Sequence, residues 1–388
     1  MKKLVALLLA LTMVACLFAG CSKKEEAKTE EPAEDAAATE EKTDDAAAEE
    51  TTEPAEEEEK KDEEEKPADV VTGTIGFSFP TSNNEFWQIA RNYFETACTQ
   101  LGCEFYSDDC NNDTAEQLTD VETMISKGID ALVLGPQDAS VVASVCATCK
   151  DAGIPVVIID RLPGDDVKAG EDYVTFIGPD DSTCGYDQAI ALIDSGCTKL
   201  VALCGFKGTS VAEGRYEGLK KALEEHPEVE LLGEEWCGEN MDDGDEAIRN
   251  LYSAYPDLDG VWCYNDSLGL AATNVMKEFN SIDKVHVGGM DGLSDAAESI
   301  KNGEMYFTCG GHYMMGAMGA VVLFDTMNGV EYNEDTVTRL SLLGINPETA
   351  DQYIANYIDS NEAIDWTAKS KALNGGEAYD FATMLSFD

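Results

Sequence analysis

The sequence predicts an α/β fold of two doubly wound parallel-sheet lobes. Three observations carry that reading. From Val70 onward, short apolar runs alternate with segments of helical period, the pattern of a parallel sheet covered by helices on both faces. The alternation completes one set and restarts near Tyr173, so two sheets account for it better than one very long sheet. Several runs are densely apolar, "IPVVII" above all, as strands buried on both faces are.

The first set begins with the strand "GTIGFSF" and a helix from Phe86 to Leu101. The strand "CEFYSDD", the helix "TAEQLTDVETMISKG" and the strand "ALVLGP" follow. The helix "SVVASVCATCKDAG" and the strand "IPVVIID" close the set. The second set opens with "YVTFIGP" and the helix "CGYDQAIALIDSG". It continues with "TKLVALCG", "VAEGRYEGLKKALEEH" and "VELLGEEW". A helix from Asp245 to Tyr255, the strand "LDGVWCYN" and a helix from Leu268 to Phe279 come next. "VHVGGMDG", "DAAESIKNG" and "MYFTCGG" complete it. The helix "YMMGAMGAVVLFDTMNG" and the run "TRLSLLG" follow without a periodic break.

The N-terminus reads as an export leader. Lys2 and Lys3 precede an apolar run from Leu4 to Gly20, and Cys21 follows. "LFAGCS" resembles a bacterial lipobox, which makes residues 1–20 a lipoprotein signal peptide and Cys21 the lipidation site. A retained membrane helix is the rival, but the run is short for a span. Residues 21–69 are rich in Glu, Asp, Ala, Lys, Thr and Pro. Such a segment buries too little apolar surface to offset the entropy of ordering, so it reads as an acidic disordered tether. Stretched out, it reaches roughly 160 Å. The expected location is the outer face of the cytoplasmic membrane.

The formal net charge of the 388 residues is -51. That excludes a nucleic-acid footprint, which needs a basic face. Of 13 cysteines, Cys16 lies in the leader and Cys21 is the lipidation site, and the eleven that follow are an odd number. Complete internal pairing is therefore impossible. Cys146 and Cys149 have redox-like spacing but sit one helical turn apart on an apolar face, so they read as core residues. The three histidines, His226, His286 and His312, are scattered, which offers no metal cluster or triad. No cofactor motif is present. "GENMDDGDEA" fails as a calcium loop because Met241 stands where an oxygen ligand is needed.

In open α/β sheets, ligands bind beyond the carboxyl ends of the strands. Those ends carry Asn84, Phe86 and Trp87, then Asp160 and Arg161, then Arg215 one turn into its helix, then Asn265, and lastly Asp291. Two acids and two guanidinium groups sum to about zero charge, which suits a neutral polyhydroxyl ligand. Each hydroxyl both donates and accepts, so carboxylates, amides and guanidinium groups complement it. The adjacent Arg161 is expected to keep Asp160 ionised. The competing reading, a capping Asp and a surface Arg, is equally good on those two residues alone.

Five of these elements together resemble the periplasmic-type sugar-binding proteins of ABC importers, the ribose-binding-like branch. They are "NNEFW", "VVIIDR", "GTSVAEGRYEG", "YNDSLGLAA" and "GMDG". The resemblance runs from about Thr74 to Gly344 and implies a type I periplasmic-binding fold with a three-crossing hinge. The crossings fall near Gly178–Asp181, Gly310–His312 and Leu342–Ile345. The N-terminal lobe is then 70–178 plus 312–343, and the C-terminal lobe and tail are 179–311 plus 344–388. The implied role is a monomeric, non-catalytic binding protein. It takes a monosaccharide or similar polyol to ABC permease subunits, with membrane attachment through the lipid anchor. A sensory receptor for a membrane kinase or chemoreceptor is the alternative. An enzyme using Asp160 and Asp291 as a carboxylate pair is a third reading. The chain departs from the family pattern at Glu85, where proline is usual. It departs again at Glu239 and Met241, near a usual aromatic and arginine, with Trp236 the nearest aromatic. At the second hinge Gly310, Gly311 and His312 stand around a usual glutamine.

Overall fold

The computed structural model describes residues 70–332, 337–359, 364–377, 379–382 and 384–387. The leader, Cys21 and the acidic tether lie outside the described residues. Among the described residues no helix is long and apolar enough to cross a membrane.

The first half contains β1 (Thr74–Phe79), α1 (Glu85–Leu101), β2 (Glu104–Asp109), α2 (Thr114–Lys127), β3 (Ala131–Leu134), α3 (Ala139–Ala152), β4 (Val156–Ile159) and β5 (Thr175–Pro179). Next come α4 (Asp181–Asp194), β6 (Lys199–Cys204), α5 (Ser210–Glu225), β7 (Glu230–Trp236), α6 (Met241–Ala254), β8 (Gly260–Cys263), α7 (Asp266–Glu278), β9 (His286–Val287) and α8 (Ser294–Lys301). The chain ends with β10 (Thr308–Gly310), α9 (Met315–Met327), β11 (Val337–Leu340), β12 (Leu343–Ile345) and α10 (Ala350–Tyr353).

Two parallel sheets result, in the orders β11-β5-β4-β3-β1-β2 and β7-β6-β8-β9. Helices connect most successive strands, and their apolar stripes pack on the sheets. Leu132, Leu134, Val156 and Ile158 bury one face of the first sheet against Val142, Val145 and Cys149 of α3. On the other face, α9 packs on β3, β4 and β5 beside α1, and it is apolar and buried along nearly its whole length. Its glycines explain the close fit. A Cβ at Gly316 would come within 2.6 Å of the Ala90 carbonyl oxygen on α1.

The chain passes from the first sheet to the second after β5. It returns after β10, runs back through α9 and β11, and leaves again through β12. β10 and β12 pair antiparallel as a separate ribbon. The run "TRLSLLG" is thus not one strand. Its first part pairs with β5 and its second with β10. "VHVGGMDG" forms only a two-residue strand, extended by single bridges from Gly288 to Phe307 and from Asp291 to Gly310.

The tail is not confined to the second lobe, as its assignment to 344–388 expected. α10 and the turn after it pack on α8. The stretch from Ile364 to Tyr379 lies on the first half instead: the Ile364 carbonyl accepts from Gln100 of α1 at 3.0 Å, and the Trp366 N–H donates back at 2.7 Å, while Ser386 returns to Tyr357, just past α10. The buried Asp325 of α9 accepts from the Lys371 N–H at 2.6 Å and from the Tyr379 hydroxyl at 2.6 Å. A buried carboxylate needs such donors, and the tail supplies them.

Candidate functional site

The carboxyl ends of both sheets meet around one small, partly open cavity, with about 290 Å³ of empty space including its solvent-facing mouth. Its wall is Asn84, Phe86, Trp87, Asp160, Arg161, Arg215, Glu239, Tyr264, Asn265, Asp291 and His312. All eight candidates from strand ends lie on this wall. A wider groove of about 1980 Å³ opens at the other, amino ends of the first-sheet strands, along Gly73, Asp130 and Val174. Ligands of open α/β sheets sit beyond the carboxyl ends, so the smaller cavity is the candidate site.

Local structure aims each group. Asn84 caps α1, its side-chain oxygen accepting from the Phe86 N–H at 2.9 Å. Asn265 caps α7 by accepting from the Leu268 N–H at 3.0 Å, which is why α7 begins two residues before the expected Leu268. The other arm of Asn265 donates to the Glu239 carbonyl at 2.9 Å. α6 likewise starts at Met241 rather than Asp245, capped by Asn240 and with Asp242 and Asp243 in its first turn, where acids suit the helix dipole.

Asp160 and Asp291 share an unusual backbone. Their φ angles are +66° and +130°, values that L side chains rarely adopt and that concentrate at functional sites. The positive φ breaks the alternation of a strand, so Asp160 and Arg161 both reach the cavity. Both carboxylates are about 95% buried.

The cations are tightly held. Arg161 donates to the Gln137 carbonyl at 2.7 Å and approaches Glu239 at 3.5 Å and Asp160 at 3.8 Å. Arg215 donates to Asp181 at 3.1 Å and to the Tyr264 carbonyl at 2.8 Å. Its guanidinium lies 4.6 Å from the centre of the Tyr264 ring and 3.7 Å from Asp291. Neither Asp160 nor Asp291 has a side-chain cation closer than these among the described residues.

That geometry corrects one expectation. Arg161 does not hold Asp160 in the ordinary carboxylate range. Burial raises Asp160, and Arg161 and Arg215 only partly offset it. The reason is distance: Arg161 spends its short hydrogen bond on Gln137. Asp291 is pushed well up for the same cause, against Arg215. Burial likewise lifts Asp181, to about 7.

Three wall residues were not among the candidates. Glu239 follows β7 and accepts from the Tyr264 hydroxyl at 3.1 Å. Tyr264 sits at the carboxyl end of β8, so the strand-end rule itself would have found it. It provides the second-sheet aromatic. Trp236 instead packs against Tyr216 and beneath Lys207, away from the cavity, and Met241 is exposed. His312 is fully buried, lies 4.7 Å from the Phe86 ring centre and 3.7 Å from Asp291, and neither ring nitrogen has a hydrogen-bond partner among the described residues. Glu239 adds a third carboxyl group to the wall, beyond the two acids and two guanidinium groups of the expected balance.

Residues 75–331 match the family described as periplasmic binding protein domain. The ribose import binding protein RbsB of Bacillus subtilis (strain 168) is 29% identical over 239 residues, 61% of this chain and 75% of that protein. A xylitol-binding protein of Mycolicibacterium smegmatis is 28% identical over 201 residues, 51% of this chain and 56% of that protein. Among solved structures, an ABC transporter solute binding protein from Mycobacterium smegmatis with bound glycerol aligns with a TM-score of 0.66. It is 26% identical and covers 72% of this chain and 96% of that one.

Proposed function

This chain belongs to the periplasmic binding protein domain family, and from that premise we propose that it captures a monosaccharide or small polyol in the cavity between its two sheets and delivers it to an ABC permease. One observation carries the reading. Two buried carboxylates, Asp160 and Asp291, face the same cavity, and among the described residues their nearest guanidinium nitrogens stand 3.8 Å and 3.7 Å away, too far for an ordinary hydrogen bond. Buried acceptors left unfilled are costly, and hydroxyl groups fill them. Arg161, Arg215 and the free amide of Asn84 donate in return, while Phe86, Trp87 and Tyr264 offer apolar faces to a ring. Closure of the two lobes around the ligand is the accompanying motion, and the closed form is what a permease reads. Attachment through Cys21 keeps the protein at the membrane.

The test is a thermal-shift screen against aldopentoses, aldohexoses and acyclic polyols. A ligand that binds only the folded state raises the melting temperature by mass action. At 100 times its dissociation constant it adds about 2.7 kcal/mol. A shift with an amino acid or nucleoside, and with no sugar or polyol, overturns the proposal.

A further inference from the structure

The cavity wall carries more acid than base. Asp160, Glu239 and Asp291 face it, against Arg161 and Arg215. Arg215 is already engaged by Asp181 at 3.1 Å, so part of its charge is spent behind the wall. Burial raises Asp160 and Asp291, which favours their protonated forms; a ligand made only of hydroxyls adds no cation beside them, whereas a cationic group there favours their ionised forms.

His312 does not supply the missing cation. It is fully buried, and burial together with Arg215 holds it well below its usual range, hence neutral. As a neutral imidazole it offers one donor and one acceptor. Both ring nitrogens are without a hydrogen-bond partner among the described residues, and the ring lines the cavity between Phe86 and Asp291. A buried side chain with both polar atoms unfilled, aimed into the cavity, is independent evidence for a ligand that hydrogen-bonds there.

We propose that the ligand is a cationic amino-polyol, a sugar or cyclitol bearing a protonated primary amine, whose ammonium group is received by the Glu239 and Asp291 side of the cavity while His312 bonds a neighbouring hydroxyl. An ammonium brings three donors and one positive charge. It therefore satisfies the acceptors and the charge together. An anionic ligand would worsen both. The inference rests on the reading of the cavity as a polyhydroxyl site and narrows it.

The experiment is isothermal titration of the intact protein at pH 7 with matched pairs: D-glucose and D-glucosamine, D-galactose and D-galactosamine, D-mannose and D-mannosamine, with D-ribose, xylitol and myo-inositol as further neutral probes. At least one amino member is expected to bind ten times more tightly than its neutral partner. Glu239→Gln, nearly the same shape, is expected to reduce that preference at least tenfold. Far-ultraviolet circular dichroism of the variant checks that it is folded. If a neutral probe binds as tightly as any amino sugar, the charge inference is overturned and sugar capture stands. If the preference survives in Glu239→Gln, the assigned role of Glu239 is overturned. If no probe of either class binds, both readings fall.

Discussion

Asp160 shows how one residue can serve binding at the expense of the fold. It sits at φ +66° with a carboxylate that burial raises, and its nearest cation is 3.8 Å away. Asp160→Asn keeps the size and tolerates left-handed backbone. It removes a carboxyl whose ionisation burial opposes. The ligand-free variant is therefore expected to be more stable than wild type at pH 7 by about 1 kcal/mol, seen as a higher urea midpoint. A lower midpoint would mean that Asp160 is structural. The eight strand-end candidates were legible because the strand-end rule is topological and needs no side-chain detail. Glu239 and His312 were visible as departures from a pattern, but nothing in the residues said that they reach the cavity. That depends on the turn after β7 and on the return of the chain into α9, which are tertiary facts.

Arg215 owes its contact with Asp181 to helix packing. α4 and α5 cross at two glycines. A Cβ at Gly185 would stand 2.0 Å from the Arg215 carbonyl oxygen, and one at Gly218 would stand 2.1 Å from the Ser182 carbonyl oxygen. This approach lets Asp181, in the first turn of α4, reach Arg215. Gly218→Ala forces the helices apart and is expected to cost about 3 kcal/mol, with ligand affinity falling as Arg215 shifts. Urea denaturation measures the first and titration calorimetry the second; unchanged values for both would refute the crossing as the positioning device. The glycines of "CGYD" and "GRYEG" were readable as helix residues only, since their partner helix is distant in sequence. The same limit explains "TRLSLLG". Its apolar pattern is continuous, and only its two partners, β5 and β10, divide it. Helix starts were misplaced wherever an Asn cap and an acidic first turn preceded the apolar stripe, because periodicity sees the stripe alone.

At the scale of the whole molecule, the alternation of strands and helices sufficed for two parallel sheets, while the crossings came from resemblance and the divided tail from neither. The described residues concentrate raised acids where the two sheets meet: Asp181 at about 7, Asp266 at about 6, and Asp291 higher than its ordinary range, all through burial. An acid raised in the folded state binds its proton more tightly there than in the unfolded chain. Its contribution to stability is full below about 3.8 and is lost as pH rises through its folded value. The ligand-free protein is thus expected to have a higher urea midpoint at pH 5 than at pH 8. Asp291→Asn should flatten that slope, since each unit of raised pKa corresponds to about 1.4 kcal/mol. A midpoint that rises from pH 5 to pH 8 would contradict the burial of these acids.

The central claim is that the buried carboxylates receive the donors of a polyol held between the sheets. It is tested most directly by titrating wild type and Asp160→Asn with whichever sugar, amino sugar or polyol gives the largest thermal shift. A charge-assisted hydrogen bond is worth about 1.5–3 kcal/mol, so the variant is expected to bind roughly 10- to 100-fold more weakly despite its greater stability. Equal affinity in the two proteins would contradict the claim.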